Sequence, residues 1–250
     1  MKKNIALLGG LLASAMAVAT NVESANTFGV MKIDVGAGTN EVVIAVPWMA
    51  VGDGTFSVTV SNLLNTASLA SGDELYAYDD TNNKYAMWRW NGTTWTDPET
   101  FVNGEVVDAA KADVVTLARG KGFILKRASA DSAVSYYISG QYTQGSSRVA
   151  ITPYAEGKAG WTLIAPSGAS DVDLNSGVTW STMPDANDVI VLDVGTQYTR
   201  NSANDAWQKF TGYNENRIKQ YSTTGVTIPV GHGVWYMRMG TGALDLTWPQ

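Results

Sequence analysis

Thirteen positions of this chain occur twice. Val115 to Arg127 (VTLARGKGFILKR) and Val226 to Arg238 (VTIPVGHGVWYMR) share the pattern V-T-[LI]-x-x-G-x-G-[FV]-[IW]-[LY]-[KM]-R at an offset of 111. Upstream, Val30 to Pro47 aligns with Val149 to Pro166 at an offset of 119 to 120, keeping a glycine at 38 and 157 and an Ile-Ala close to proline. Between these blocks, Asp73 to Asp79 (DELYAYD) resembles Asp188 to Asp193 (DVIVLD), and each is followed by a tyrosine (Tyr85, Tyr198) and a tryptophan (Trp95, Trp207). Convergence on β-propensity would not preserve glycine spacing or block order, so the pattern predicts two homologous units, at 26–143 and 144–250, that differ by loop insertions.

Within each unit the blocks read as strands. Asn40 to Val46 and Gly160 to Ala165 are short apolar runs that end at proline, which cannot donate to a sheet. Asp79 to Asn83 is a polar turn cluster and Asn91-Gly92 is a hairpin signal, so Leu75 to Tyr78, Tyr85 to Trp90 and Thr93 to Thr96 form a meander. Phe123 to Arg127, Val134 to Ser139, Val234 to Met239 and Ala243 to Trp248 add further strands, and only Val106 to Ala112 has the look of a short helix. Twenty-five glycines, nine tryptophans and eleven tyrosines favour strands and tight turns. The expected fold class is all-β, with two tandem sandwich or open-barrel units.

The N-terminus reads as an export signal. A positive start, Met1 to Asn4, precedes the 15-residue apolar run Ile5 to Ala19, too short to span a bilayer comfortably. Cleavage after Ser24 or Ala19 both fit, and the first folded-looking segment near Phe28 favours Ser24, which makes residues 1–24 a signal peptide. No later run approaches the length of a membrane span, so the mature chain is expected to carry no transmembrane anchor and to be periplasmic, cell-surface or extracellular. A net charge of -6 removes the attraction to phosphate on which nucleic-acid binding rests. Zero cysteines and a single histidine exclude thiol catalysis, disulfides, and Cys-ligated or multi-histidine metal sites.

The succession VVIAVP, GDELYAYD, KYAMWRWNGTTW and TLARGKGFILKR resembles a family of secreted, mostly uncharacterised bacterial all-β proteins. Their units run from an IAxP-like strand through a D-x-[LI]-Y strand and a Trp-bearing hairpin to a G-x-GF strand. The resemblance covers most of the mature chain and is clearer in the first unit than in the second, whose hairpin (TQYTRNSANDAW) is degenerate. It implies an exported surface or repeat module and brings no catalytic residue with it.

Three groups of residues are candidates for function. Trp88 and Trp90 fall on one face of a strand, with Tyr85 and Met87 on the other, so Trp88 and Trp90 would make a stacking platform for sugar rings, and Trp88, Trp90, Trp95 and Tyr85 are the candidate ligand-binding residues. Tyr136, Tyr137, Trp235 and Tyr236 would extend it. The plainer alternative is that a module of this size needs large aromatic side chains to fill its core. Asp171, Asp173 and Asn175 place oxygens at alternate positions, as in a calcium loop. Yet Ser176 stands where the sharp-turn glycine belongs and Thr182 where a bidentate glutamate does, which favours an Asx-rich surface loop. His232 lies between two glycines, but Lys121 takes its place in the first unit, which argues for an exposed turn residue over a general base.

No G-x-S-x-G, HExxH or Walker loop is present, and Asp and Glu are too scattered to single out a hydrolytic pair. The expected function is therefore that of an exported non-catalytic structural or interaction protein, partnered by itself or by surface glycans. The alternatives are a carbohydrate-binding module with calcium as an optional structural ion and, behind it, a secreted glycoside hydrolase.

Overall fold

The structure, a computed structural model, describes residues 27–45, 64–79, 84–97, 101–102, 105–106, 109–110, 119–142, 146–193, 196–201, 206–222 and 225–249. The expected signal peptide, residues 1–24, lies outside them. The described chain is all-β, with only a 3-10 turn at Thr66–Ser68. Among the described residues no helix is long and apolar enough to cross a membrane.

In the first half the strands are β1 (Thr27–Val35), β2 (Glu41–Ala45), β3 (Glu74–Asp79), β4 (Lys84–Trp90), β5 (Trp95–Asp97), β6 (Phe101–Val102), β7 (Glu105–Val106), β8 (Ala109–Ala110), β9 (Gly122–Lys126) and β10 (Val134–Tyr142). The second half holds β11 (Ser147–Ile151), β12 (Gly160–Ile164), β13 (Val172–Asp173), β14 (Thr179–Trp180), β15 (Val189–Asp193), β16 (Thr196–Asn201), β17 (Ala206–Tyr213), β18 (Lys219–Ser222), β19 (Thr227–Ile228), β20 (Val234–Arg238) and β21 (Leu244–Trp248). Two six-stranded antiparallel sheets dominate, in the orders β2-β9-β3-β4-β5-β8 and β12-β20-β15-β16-β17-β18. In chain order both follow the same path, and each has a second layer, the ribbon β1-β10 in the first half and the sheet β11-β21-β14 in the second.

Period-two alternation explains how the layers close. Along β1, Met31, Ile33 and Val35 are buried while Val30, Lys32 and Asp34 face solvent. Their buried faces meet Leu75, Trp88, Phe123 and Leu125 from the first large sheet. The second core repeats the layering, with Val149, Ile151 and Leu246 facing Ile190, Trp207 and Tyr236. The Asn91-Gly92 turn forms as its residues require: Gly92 has φ +99°, and Asn91 Oδ1 accepts from the backbone N–H groups of Thr93 and Thr94, both at 2.9 Å.

The helix expected over Val106 to Ala112 is not formed where the chain is described. Val106 belongs to β7, and Ala109 and Ala110 pair with Asp97 and Thr96 at the sheet's edge. Strand pairing here overrides the mild helix preference of alanine.

The two halves are joined by an exchange of corners. Ile44 at the end of β2 bridges His232, and Ile164 at the end of β12 bridges Lys121. Ala45 N–H donates to Gly231 O at 2.8 Å and Ala165 N–H donates to Gly120 O at 2.9 Å, so the same bond is made in both directions. Gly120 and Gly231 have φ of +88° and +82°, a region closed to most side chains, and a Cβ on Gly231 would collide with Met31 Sδ of the other half. The second glycine of each pair is needed for approach: a Cβ on Gly122 or Gly233 would lie 2.8 or 2.7 Å from the same methyl, Val43 Cγ1.

Candidate functional site

The platform expected at Trp88, Trp90 and Trp95 is buried, at 1%, 6% and 3% exposure. All three indoles lie in the first core, where Trp90 and Trp95 meet edge to face at 5.5 Å. The alternation along β4 was legible, but the aromatic face turns inward. The second layer, β1 and β10, covers that face, and burying an indole stabilises the fold by roughly 4 kcal/mol at about 25 cal/mol per Å². Tyr136 and Tyr236 are buried as well, whereas Tyr137 is 37% exposed on the outside of β10.

Tyr85 takes the opposite face of β4 and remains 43% exposed. There it meets the outer face of the second sheet. Trp235 of β20 lies opposite Val191 of β15 in register and Leu163 of β12 on its other side, which places Trp161, two residues before Leu163, diagonally beside it. Tyr85, Trp161, Val191 and Trp235 line a cavity of about 420 Å³ between the two halves. The Tyr85 and Trp235 ring centroids are 6.2 Å apart at 84°, and those of Trp161 and Trp235 are 5.7 Å apart at 89°. Trp161 keeps 37% of its surface in solvent. Trp235 was among the expected additions to an aromatic platform, but Trp161 was missed. Its place in the short apolar run Gly160–Ile164 gave no sign that its side chain faces outward.

The cluster continues into a polar network. Tyr76 meets Tyr85 edge to face at 6.1 Å, and its hydroxyl donates to Glu74 Oε2 at 2.6 Å. Arg89 and Lys126 also pair with Glu74, at 2.8 and 3.3 Å. Partial burial alone would raise the Glu74 pKa, but the hydrogen bonds from Tyr76, Arg89 and Lys126 outweigh it and hold the carboxyl below its ordinary value. Burial and the neighbouring carboxylate push the Tyr76 hydroxyl well up, so it stays a proton donor and braces the base of the aromatic row.

The loop weighed as a calcium site is tied to its neighbours by side-chain-to-backbone hydrogen bonds. Asp171 Oδ1 accepts from Val230 N–H at 2.8 Å, and Asp173 Oδ1 accepts from Asn175 N–H at 2.8 Å in an Asx turn. Asn175 takes hold of the Trp207 peptide from both sides, accepting its N–H at 2.7 Å and donating to its carbonyl at 3.3 Å. The three side chains thus each accept from the backbone N–H of a different segment, at Val230, Asn175 and Trp207. Among the described residues no group of three or more His, Asp and Glu side chains stands together.

His232 is half-buried in the corner exchange, so it is not an exposed turn residue. Burial lowers its pKa, against a smaller opposing pull from Asp171.

The equivalent carboxylates Asp73 and Asp188 are 1% and 0% exposed and lie in different cores. Asp73 accepts from Ala70 N–H at 3.0 Å, Ala128 N–H at 2.9 Å and the Tyr136 hydroxyl at 3.4 Å. Asp188 accepts from Asp185 N–H at 2.9 Å, Met239 N–H at 2.7 Å, the Tyr236 hydroxyl at 2.6 Å and the Arg238 guanidinium at 2.6 Å. Burial chiefly, with Asp73 nearby, pushes the Tyr136 hydroxyl up to about 12. These two carboxylates are engaged in holding turns to strands.

Compared with known proteins, the chain matches no protein-family model, no curated sequence and no solved structure.

Proposed function

We propose that the protein is an exported, non-catalytic interaction protein of the bacterial cell surface or extracellular space, built from two tandem homologous units, that captures its ligand in the aromatic pocket between them. One observation carries the reading: Tyr85 and Trp161 stay exposed at 43% and 37% around a cavity of about 420 Å³. Leaving large rings in water forgoes burial free energy that the same chain gains at Trp88 and Trp207, and a partly open, ring-lined cavity is the usual form of a ligand site. The N-terminal apolar run and the family resemblance support export. Matching strand order in the two large sheets supports the duplication.

The test is intrinsic tryptophan fluorescence of the purified protein, titrated with glycans and small organic ligands, with and without calcium. A saturable change that Trp161→Ala abolishes while the far-ultraviolet circular dichroism is unchanged is the expected result. A response untouched by Trp161→Ala, or turnover of chromogenic glycosides by the purified protein, overturns it.

A second reading, self-association, is favoured by a separate surface. Strand β18 is the edge of its sheet, and Tyr213, Ile218 and Tyr221 around it are 62%, 59% and 40% exposed. A strand at the edge of its sheet among the described residues, beside apolar side chains, suits the edge of a second copy. Concentration-dependent light scattering that Ile218→Lys suppresses would support it, and a monomer at every concentration would end it.

A further inference from the structure

What the pocket accepts follows from its lining, and the inference rests on the proposed ligand site. Two rings, Tyr85 and Trp161, stand at 84° and 89° to the third, Trp235. Val191 lies opposite Trp235 in register and completes the lining. A sugar ring needs one broad flat face together with hydrogen-bond partners for its hydroxyls. Rings at right angles offer instead several smaller surfaces around one volume. Among the described residues the lining carries no charged side chain, and the polar atoms of its side chains are one phenol hydroxyl and two indole N–H groups.

The face of an aromatic ring is the negative pole of its quadrupole and attracts a cation. A primary ammonium entering such a lining would leave N–H donors short of partners, which is costly away from water. A quaternary ammonium has no N–H to satisfy, presents methyl groups that pack against rings, and keeps its charge at every pH. The net charge of -6 favours the approach of a cation over that of an anion.

We propose that the pocket formed by Tyr85, Trp161, Val191 and Trp235 is an aromatic box for the trimethylammonium group of a small, choline-like compound. Tyr85 comes from the first half while the other three come from the second, so the box exists only when the halves are docked. Tyr76, fixed by Glu74, sets the position of Tyr85 from behind.

The experiment is a fluorescence titration of the full-length protein with choline and, in parallel, with dimethylbutanol, the uncharged carbon isostere of choline. Saturable binding of choline without binding of the isostere is expected. Trp161→Ala and Tyr85→Leu, both at exposed positions, should each weaken choline roughly tenfold with unchanged circular dichroism. Trp161→Phe should recover most of the loss, since a ring face returns. Equal binding of the isostere would overturn the cation assignment while leaving the pocket a ligand site. A response to glycans with none to choline would overturn it likewise. Silence towards every ligand tested would remove both the assignment and the proposed function beneath it.

Discussion

Asp73 and Asp188 occupy matching positions and meet different partners. Asp188 faces the Arg238 guanidinium, at 6% side-chain exposure, as an ion pair at 2.6 Å, whereas the donors placed on Asp73 are two backbone N–H groups and a phenol. Asp188→Asn removes the charge opposite a buried arginine and should cost about 3–5 kcal/mol. Asp73→Asn keeps an acceptor for neutral donors and should cost about 1–3 kcal/mol. Urea unfolding of the two variants measures the difference, and equal losses would show that the Arg238 pair contributes nothing of its own. His232 supplies a second expectation. Burial depresses its folded pKa below the ordinary 6.5, so the folded state resists protonation and the unfolded state accepts it. The stability held by neutral His232 is complete above that ordinary value and is lost as pH falls through the lower, folded one. Wild type should therefore lose stability relative to His232→Gln as pH falls below the ordinary 6.5, as followed by thermal melts. The motif around His232 was visible in the sequence. Its partner Ile44 was not, because nothing local tells a corner that it will bridge a strand 188 positions earlier in the chain.

Single strands show what alternation can and cannot tell. The spacing of Trp88, Trp90, Tyr85 and Met87 placed two residues on each face of β4, and the structure keeps that division. Which face lies inside depends on β1 and β10, which arrive from distant parts of the chain, and so the sugar platform was assigned to the covered side. Bounds such as those of β2, β4, β9, β12 and β20 were legible to within a residue or two because proline, Asn-Gly and the glycine pairs act locally, whereas β10 runs three residues beyond the expected Ser139. The region around Ala109 was not, since a two-residue edge strand has too little pattern to outvote alanine's helix preference. A pair of substitutions separates the two faces. Trp88→Ala empties a fully covered site and should cost about 3–5 kcal/mol. Trp161→Ala removes a ring already 37% in solvent and should cost under about 1.5 kcal/mol, although it takes away a wall of the pocket. Chemical denaturation reports the first quantity and ligand titration the second. Comparable stability losses would mean that Trp161 belongs to the core.

At the level of the whole molecule, each half carries part of the other's packing. Gly231 stands on Met31 and Ile33, and Gly120 stands on Val149 and Trp248, whose indole N–H donates to Gly120 O at 3.1 Å. Heat or denaturant should therefore unfold the described halves together, with fluorescence and circular dichroism changing at one midpoint. Gly231→Ala sets a side chain at φ +82° and against Met31, and should lower that shared midpoint by the equivalent of about 1–3 kcal/mol. Two separate transitions, in wild type or variant, would show that the corners do not couple the halves. The all-β class was readable from the short apolar runs, the turn signals and the aromatic content. The reciprocal docking was not, because the glycines that announce a turn do not say whose side chains will press on it.

Contacts that run both ways, Ala45 to Gly231 and Ala165 to Gly120, have the reciprocity of a two-fold homodimer interface, here made within a single polypeptide. Two free subunits would need to find each other at whatever concentration the surroundings allowed, and both would have to bear the same residues. A covalent link holds the partner at an effective concentration in the millimolar range and lifts the requirement of identity. That freedom is already in use at the pocket, where β12 and β20 bring Trp161 and Trp235 while β2 and β9, which begin and end the same path, bring Glu41 and Ile124. A strictly symmetric pair would have had two such cavities or none.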